Sequence, residues 1–442
     1  MKRQFIAFVI ACIILLTLCS CTANKGILSS SGETVSRSRS IETLLQNNFL
    51  VTVDITNKNG ELKPDFLKEA KPISFDEIQQ FKGLFQQYNP KYYYNFLSGN
   101  EQLLYNMFIY MSENGCENIV FSQDLVDTQS IEKVLHCAQL DYPSLETNYN
   151  LLIKTINPSN PKGDETYSGY YVHLTAYRKD KKEKNLQALK KAEEIVKTMP
   201  QQLGDKEKAG YLFRYLVEHV TYSHGVDKTK TVYLYSALCE EASDCDGFAN
   251  AYSLLCNMAG LECIKVTYHP AELKAYLDTH TELRAFYPEA DRESGHIWNM
   301  VKINNKYYHY DSSGSVRALE RENVPSEILM GASDRIALRG VEYPPDISVY
   351  VPSSDRCLYP EETLALTDEH YEVELAAIST QLKQNIIDGK NYVYFLMKGT
   401  LLKTIDEIST DVVVGSHDNH DYGRRTLLPN RQGELLILLY RQ

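Results

Sequence analysis

Cys245, His296 and Asp311 are the residues of this 442-residue chain whose types and surroundings allow nucleophilic chemistry. Cys245 stands in the run Asp244-Cys245-Asp246-Gly247-Phe248-Ala249. After it, apolar residues recur at Phe248, Ala251, Tyr252, Leu255, Met258 and Ala259, and Gly260 is a natural stop. That spacing predicts a buried helix with Cys245 in its first turn. Unsatisfied N–H groups and the positive end of the helix dipole would favour a thiolate there, the reactive form of cysteine.

A partner for the thiol comes from a predicted β-hairpin. Residues His296 to Ile303 and Lys306 to Asp311 read as strands, with Asn304-Asn305 suited to a two-residue turn of positive φ. With those two residues as the turn, Asp311 lies opposite Trp298, and His296 shares that face as a diagonal neighbour of Asp311. A carboxylate beside an imidazole fixes its tautomer, and the imidazole then activates a thiol. A shift of one residue in the turn would separate the two onto opposite faces, so the pairing rests on register.

These residues resemble the core of the transglutaminase-like superfamily. The match includes Tyr235-Ser236-Ala237-Leu238, Cys245 to Ala249, Gly260-Leu261 before a strand, His296-Ile297-Trp298-Asn299 and Tyr307-Tyr308-His309-Tyr310-Asp311. It covers roughly residues 185–350, under half the chain. The resemblance implies a papain-like fold, a Cys-His-Asp triad in that chain order and an acyl-enzyme. Two positions depart from the family pattern. Ile297 stands where Ala is usual, and Ser312-Ser313 follows Asp311 where a pair such as Pro-Thr is common.

The elements around the triad read as α+β, in three parts. The length allows two or three domains with ample core. From 41 to 182 the pattern is mainly helical: Ser74 and Glu77 form a capping box ahead of Ile78, Phe81, Leu84 and Phe85. Helices through Leu103–Met111 and Ile131–Ala138 follow, the second ended by Asp141-Tyr142-Pro143, and strands are expected near 149–156 and 167–177. The catalytic unit spans 183–352, opening with helices near Leu186–Met199 and Lys206–Val220. An insertion from His269 to Ser294 precedes His296. Residues 353–442 form a small C-terminal α+β unit, with a helix near Tyr371–Ile387 and strands at Tyr392–Met397 and Leu435–Tyr440.

Residues 1–20 read as an export signal, with Lys2 and Arg3 before an apolar run from Phe5 to Leu18 too short to span a bilayer comfortably. Leu18-Cys19-Ser20-Cys21 resembles a bacterial lipobox, which implies lipidation at Cys21 and a tether over 21–40. The expected location is therefore exported and lipid-anchored at the bacterial cell membrane or outer membrane. Acidic residues outnumber basic ones, 58 to 46, which argues against nucleic acid as the main partner.

After removal of Cys12 and Cys19 and acylation of Cys21, seven cysteines remain: 116, 137, 239, 245, 256, 263 and 357. An odd number allows one free thiol beside pairs, or no pairs. Export permits disulfides without requiring them. No Cys-x-x-Cys supports a structural zinc, and the loop His417-Asp418-Asn419-His420-Asp421 reads as a polar turn, so no metal or cofactor is expected. The sequence thus points to a cysteine enzyme acting on protein or peptide amides. Cys245 is its nucleophile, His296 its general base and acid, and Asp311 the orienting group. Hydrolysis is favoured over crosslinking, because nothing in the sequence marks an amine site. The competing expectation is a non-catalytic binding protein that retains the fold.

Overall fold

The computed structural model describes residues 44–52, 70–145, 150–156, 169–175, 180–223, 231–268, 296–316, 365–367, 370–388, 392–398, 405–416, 422–427 and 434–441. The expected export signal, Cys21 and its tether, the insertion 269–294, Cys357 and the 417–421 loop lie outside the described residues.

The N-terminal elements are β1 (Asn48–Val51), β2 (Lys71–Ser74), α1 (Phe75–Gln80), α2 (Gly99–Asn114), β3 (Asn118–Ser122), α3 (Thr128–Asp141), β4 (Asn150–Ile156) and β5 (Gly169–Thr175). Where mainly helix was expected, the five strands form one antiparallel sheet in the order β2-β1-β3-β5-β4. Two of the unexpected strands, β1 and β2, are only four residues long, and β2 carries Pro72 on the sheet's edge, where a missing N–H is tolerated. Ser74 does cap α1 by accepting from the Glu77 amide at 3.1 Å, but the helix stops at Gln80. Beyond it the Leu84 and Phe85 amides are taken by the Glu113 carboxylate and the Tyr142 hydroxyl. These side-chain acceptors replace the helical carbonyls. Helix α2 keeps a complete capping box at Ser98 and Glu101 and ends on Gly115 at φ 68°.

The next elements are α4 (Lys181–Thr198), α5 (Asp205–His219), β6 (Thr221–Tyr222), α6 (Tyr233–Cys239), β7 (Ala242–Ser243) and α7 (Cys245–Met258). Then come β8 (Cys263–Tyr268), β9 (His296–Ile303) and β10 (Lys306–Tyr310). Strands β8, β9 and β10 make an antiparallel sheet with β9 in the centre. Helix α7 is buried on every side from Asp246 to Cys256, so it is the central element. Along β9, Ile297, Val301 and Ile303 join the large core that includes α7. Trp298 and Met300 belong instead to a cluster with Ile264, Val266, Tyr307 and Tyr92.

The boundary expected near residue 182 does not divide the hydrophobic core. One apolar cluster runs from Phe49 to Val316 and takes in α2, α3, α4, α5 and α7. Polar bonds cross the same seam. Fully buried Lys265 on β8 donates to the carbonyls of Gln139 and Tyr142 at 2.6 and 3.2 Å, and to Asn250 Oδ1 on α7 at 2.6 Å. The Tyr93 hydroxyl returns a bond to the Lys265 carbonyl at 2.8 Å. Asp141 accepts from the amides of Tyr93 and Tyr94 and from the Tyr105 hydroxyl. Burial pushes its carboxyl up to about 6, against those hydrogen bonds and the nearby Lys265 charge.

Residues 365–441 have a core of their own. Strands β11 (Ala365–Leu366), β12 (Tyr392–Lys398), β13 (Tyr422–Leu427) and β14 (Glu434–Arg441) form a sheet in the order β11-β12-β14-β13. Helices α8 (Tyr371–Ile387) and α9 (Ile405–Ser416) contribute Ile378, Leu382, Ile408 and Val412 to that core.

Two outcomes follow from the buried seam. Lys265→Met leaves two carbonyls and Asn250 without their donor, and Asp141 without a nearby cation. It is expected to cost about 3–5 kcal/mol, read as a lower urea midpoint at constant slope. Asp141 has a folded pKa above the unfolded value of about 3.9, so the folded state binds the extra proton. Its contribution to stability falls as pH rises through about 6, and Asp141→Asn should flatten that part of the stability–pH curve.

Candidate active site

The hairpin has the register that the sequence predicts. Lys306 pairs with Ile303, Tyr307 with Lys302 and Tyr310 with Asn299, and Asn304 and Asn305 form the turn at φ 50° and 62°. Asp311 follows the last paired residue, and the parity of the strands puts it on the face of His296. The two side chains meet, with His296 Nε2 2.8 Å from Asp311 Oδ2, and both are about 95% buried (5% and 4% exposed). A carboxylate on Nε2 keeps the proton there and leaves Nδ1 as the basic nitrogen. The ring also stacks on Trp298, centroids 5.7 Å apart and planes 21° apart, and Trp298 is itself buried.

Asp311 is held from its other side by the residues that follow it. Ser313 Oγ and the Gly314 amide donate to Oδ1 at 2.9 and 2.8 Å, and the Ser315 amide and hydroxyl donate to the Asp311 carbonyl. Asp311 thus heads the helical turn 312–316 as its cap. The departure Ser312-Ser313 proves to supply a hydrogen bond to the carboxylate. A Cβ on Gly314 would lie 2.5 Å from Oδ2, so only glycine lets the turn close this tightly. Sequence reasoning missed both residues; the signal was a serine and a glycine two and three places after an aspartate, the pattern of a local cap.

Cys245 is the first residue of α7, as expected. Asp244 is the N-cap and its carboxylate accepts from the Asp246 amide at 3.1 Å. The Cys245 thiol lies close enough to the Ile297 amide for that amide to favour its charged form, which brings the sulfur to the peptide that joins His296 to Ile297. Two devices hold helix and strand in this relation. Asn299 Nδ2 donates to the Ala249 carbonyl at 2.9 Å. Gly247 lets the first turn of α7 lie on its neighbours, since a Cβ there would fall 1.9 Å from Ser243 Oγ and 2.8 Å from the Tyr233 carbonyl. The Gly in Cys-Asp-Gly is therefore a packing requirement. Tyr222 stacks on Phe248, and Tyr235 lies under the Lys184 ammonium at 5.1 Å.

The expected thiolate is not what the surroundings favour. Burial first, then the charges of Asp246 and Asp244, push the Cys245 thiol up to about 12, and the Ile297 amide only partly opposes them. The physical reason is local. The helix end that would stabilise a thiolate already faces two carboxylates of its own first turn, and the sulfur gives up water as well. Among the described residues no group of three or more His, Cys, Asp and Glu side chains is arranged to hold a metal.

Residues 190–312 match the family model of the transglutaminase-like superfamily. The matched transglutaminase-like stretch contains Cys245, His296 and Asp311 and stops just before Ser313. No curated protein matches the chain. Among solved structures, a candidate cysteine protease from Cytophaga hutchinsonii is 12% identical over 38% of this chain and 65% of its own, with a TM-score of 0.21. A candidate protease from Parabacteroides distasonis is 9% identical over 66% of this chain and 63% of its own, with a TM-score of 0.24. This chain therefore spans less than two thirds of either protein's length.

Because the resting thiol is held protonated, iodoacetamide labelling of Cys245 is expected to keep rising from about pH 6 to about pH 10. Asp246→Asn removes one of the raising charges and should move that rise to lower pH. A rate already level near neutral pH, unchanged in the variant, would contradict this account of the site. Mapping the label by mass spectrometry supplies the measurement.

Proposed function

We propose that this protein is a cysteine enzyme that cleaves protein or peptide amides through a thioester on Cys245. The observation that carries the reading is the buried His296–Asp311 bond beside the peptide whose amide meets the Cys245 sulfur. Cys245 Sγ attacks the amide carbonyl carbon while His296 Nδ1 takes the thiol proton, so no free thiolate has to accumulate beforehand. Backbone N–H groups at the start of α7 hold the oxyanion. The C–N bond then breaks and His296 gives its proton to the leaving amine. A water molecule, deprotonated by the same ring, attacks the thioester and releases the acid. Asp311 keeps the imidazole in the required tautomer throughout. Water rather than an amine is the acceptor in this reading, since no element of the described site is set aside for an amine.

The test uses a fluorescently labelled casein for cleavage and a fluorescent primary amine for transfer. Cys245-dependent release of peptides without amine incorporation supports hydrolysis, and incorporation makes the protein a crosslinking acyltransferase. Asp311→Asn keeps the shape and loses the tautomer, so activity should drop about a hundred- to ten-thousand-fold. A specific observation favours a second reading. The high thiol pKa suits a binding protein that keeps the fold without the chemistry. Absence of both activities from folded protein with an unmodified Cys245 would decide for it.

The same reading takes the protein to be exported and held by a lipid on Cys21. Cys21→Ser should then release it from membranes into the soluble fraction after cell breakage, because no second anchor is proposed. Equal membrane retention of the variant would remove this part of the proposal.

A further inference from the structure

A second histidine stands at the end of the sheet that carries the site. His136 belongs to α3, and its Nε2 lies 3.5 Å from Thr267 Oγ1 on β8. Thr267 is paired with Ile297, the residue next to His296. Strand side chains alternate, so Thr267 shares a face of the sheet with Lys265. Across that face Lys265 reaches both Asn250 on α7 and the Gln139 carbonyl on α3, so the two helices lie side by side over it. Asn299, the partner of Lys265, binds the Ala249 carbonyl; one step toward the site the partners are Ile297 and Thr267. In the same direction α7 runs back from Asn250 to Cys245, and α3 runs back from Gln139 to His136. The imidazole thus stands level with the first turn of α7. A strand pairing spans about 5 Å and an extended residue about 3.3 Å, so about three residues of peptide bridge Cys245 and His136.

The ring is suited to meeting an amide. Among the described residues Thr267 is its one hydrogen-bond partner, through Nε2, and the side chain is only half-buried, which leaves Nδ1 open. Burial pushes the imidazole down to about 4, so it is neutral at ordinary pH. Nδ1 of a neutral ring donates when Thr267 donates to Nε2, and accepts when Thr267 accepts from it. A peptide backbone supplies the complement to either. We propose that His136 is a substrate-binding residue of the candidate site, its Nδ1 hydrogen-bonding the backbone of the peptide whose carbonyl is presented to Cys245. The N-terminal elements then form part of the cleft, and the protein reads an extended main chain rather than a lone carboxamide. This rests on the cysteine-enzyme reading only in taking Cys245 as the point the peptide must reach.

The full chain is labelled at Cys245 with benzyloxycarbonyl-trialanine chloromethyl ketone and, separately, with iodoacetamide, which carries no peptide to hold. In each case the sulfur displaces the halide, and mass spectrometry follows the rate at Cys245. The rate with the tripeptide is expected to saturate with concentration. His136→Ala should raise the half-saturating concentration about three- to tenfold, the loss of one neutral hydrogen bond, and leave the iodoacetamide rate unchanged. His136→Asn keeps a hydrogen-bonding atom near the Nδ1 position and should restore most of the difference. If His136→Ala does not fold, Thr267→Val releases the ring and should shift the same constant in the same direction. Three results would overturn the proposal: a tripeptide rate that never saturates in the wild type, a half-saturating concentration unchanged in the folded variants, or an equal fall with both reagents, which marks a structural role. The cysteine-enzyme reading fails separately. Saturable, His136-dependent labelling in a protein that cleaves no casein would keep His136 as a peptide-binding residue and remove the chemistry.

Discussion

The described elements from β1 to β10 are tied together by one ammonium group held out of water. Lys265 sits in the middle of β8, fully buried, and such a charge survives only when its three donors are satisfied by well-placed acceptors. Two of those acceptors are carbonyls at the end of α3 and the third is Asn250 on α7. The lysine therefore joins an N-terminal helix, the central helix and the sheet at one point. A hydrophobic side chain there would allow the layers to slide, whereas directed bonds do not.

The candidate site inherits its geometry from that junction. Asn250 is five residues beyond Cys245 on the same helix, and Asn299 ties the facing strand to the same helix at Ala249. The sulfur and the imidazole come from segments separated by 51 positions, so neither could be placed by local structure alone. What local structure does supply is the orientation of each group. The Asn304-Asn305 turn sets the face on which His296 and Asp311 meet, and the cap at 312–316 fixes the carboxylate. The result is a carboxylate with both oxygens engaged and an imidazole held through Nε2, with its ring stacked on Trp298.

The features legible in the sequence were those written in short periods. The Cys245 helix, its stop at Gly260 and the hairpin register follow from spacings of three, four and two residues and from a pair of turn asparagines. The charge state of the thiol was not legible, although Asp244 and Asp246 stood beside it in plain view. The dipole of a helix N-terminus favours a thiolate, but the two carboxylates that occupy this one and the loss of water outweigh it. Strands β1 and β2 of the N-terminal sheet were hidden because strands of four residues carry almost no periodicity, whereas the longer β4 and β5 lie where strands are expected. The shared core was hidden for a different reason: alternation reports that a face is buried, and says nothing about which distant segment buries it.

That shared core has a consequence for how the chain is made. Synthesis delivers the N-terminal elements first, and α3 presents the Gln139 and Tyr142 carbonyls more than a hundred residues before Lys265 exists to meet them. Until β8 and β9 arrive, the apolar cluster that α2 and α3 share with α7 is incomplete. The nascent protein is thus a late folder, with its first third waiting on residues up to Val316. Chains that stall or are cut before that point carry an open core, which makes them natural clients of holding chaperones and of proteases that survey unfinished proteins.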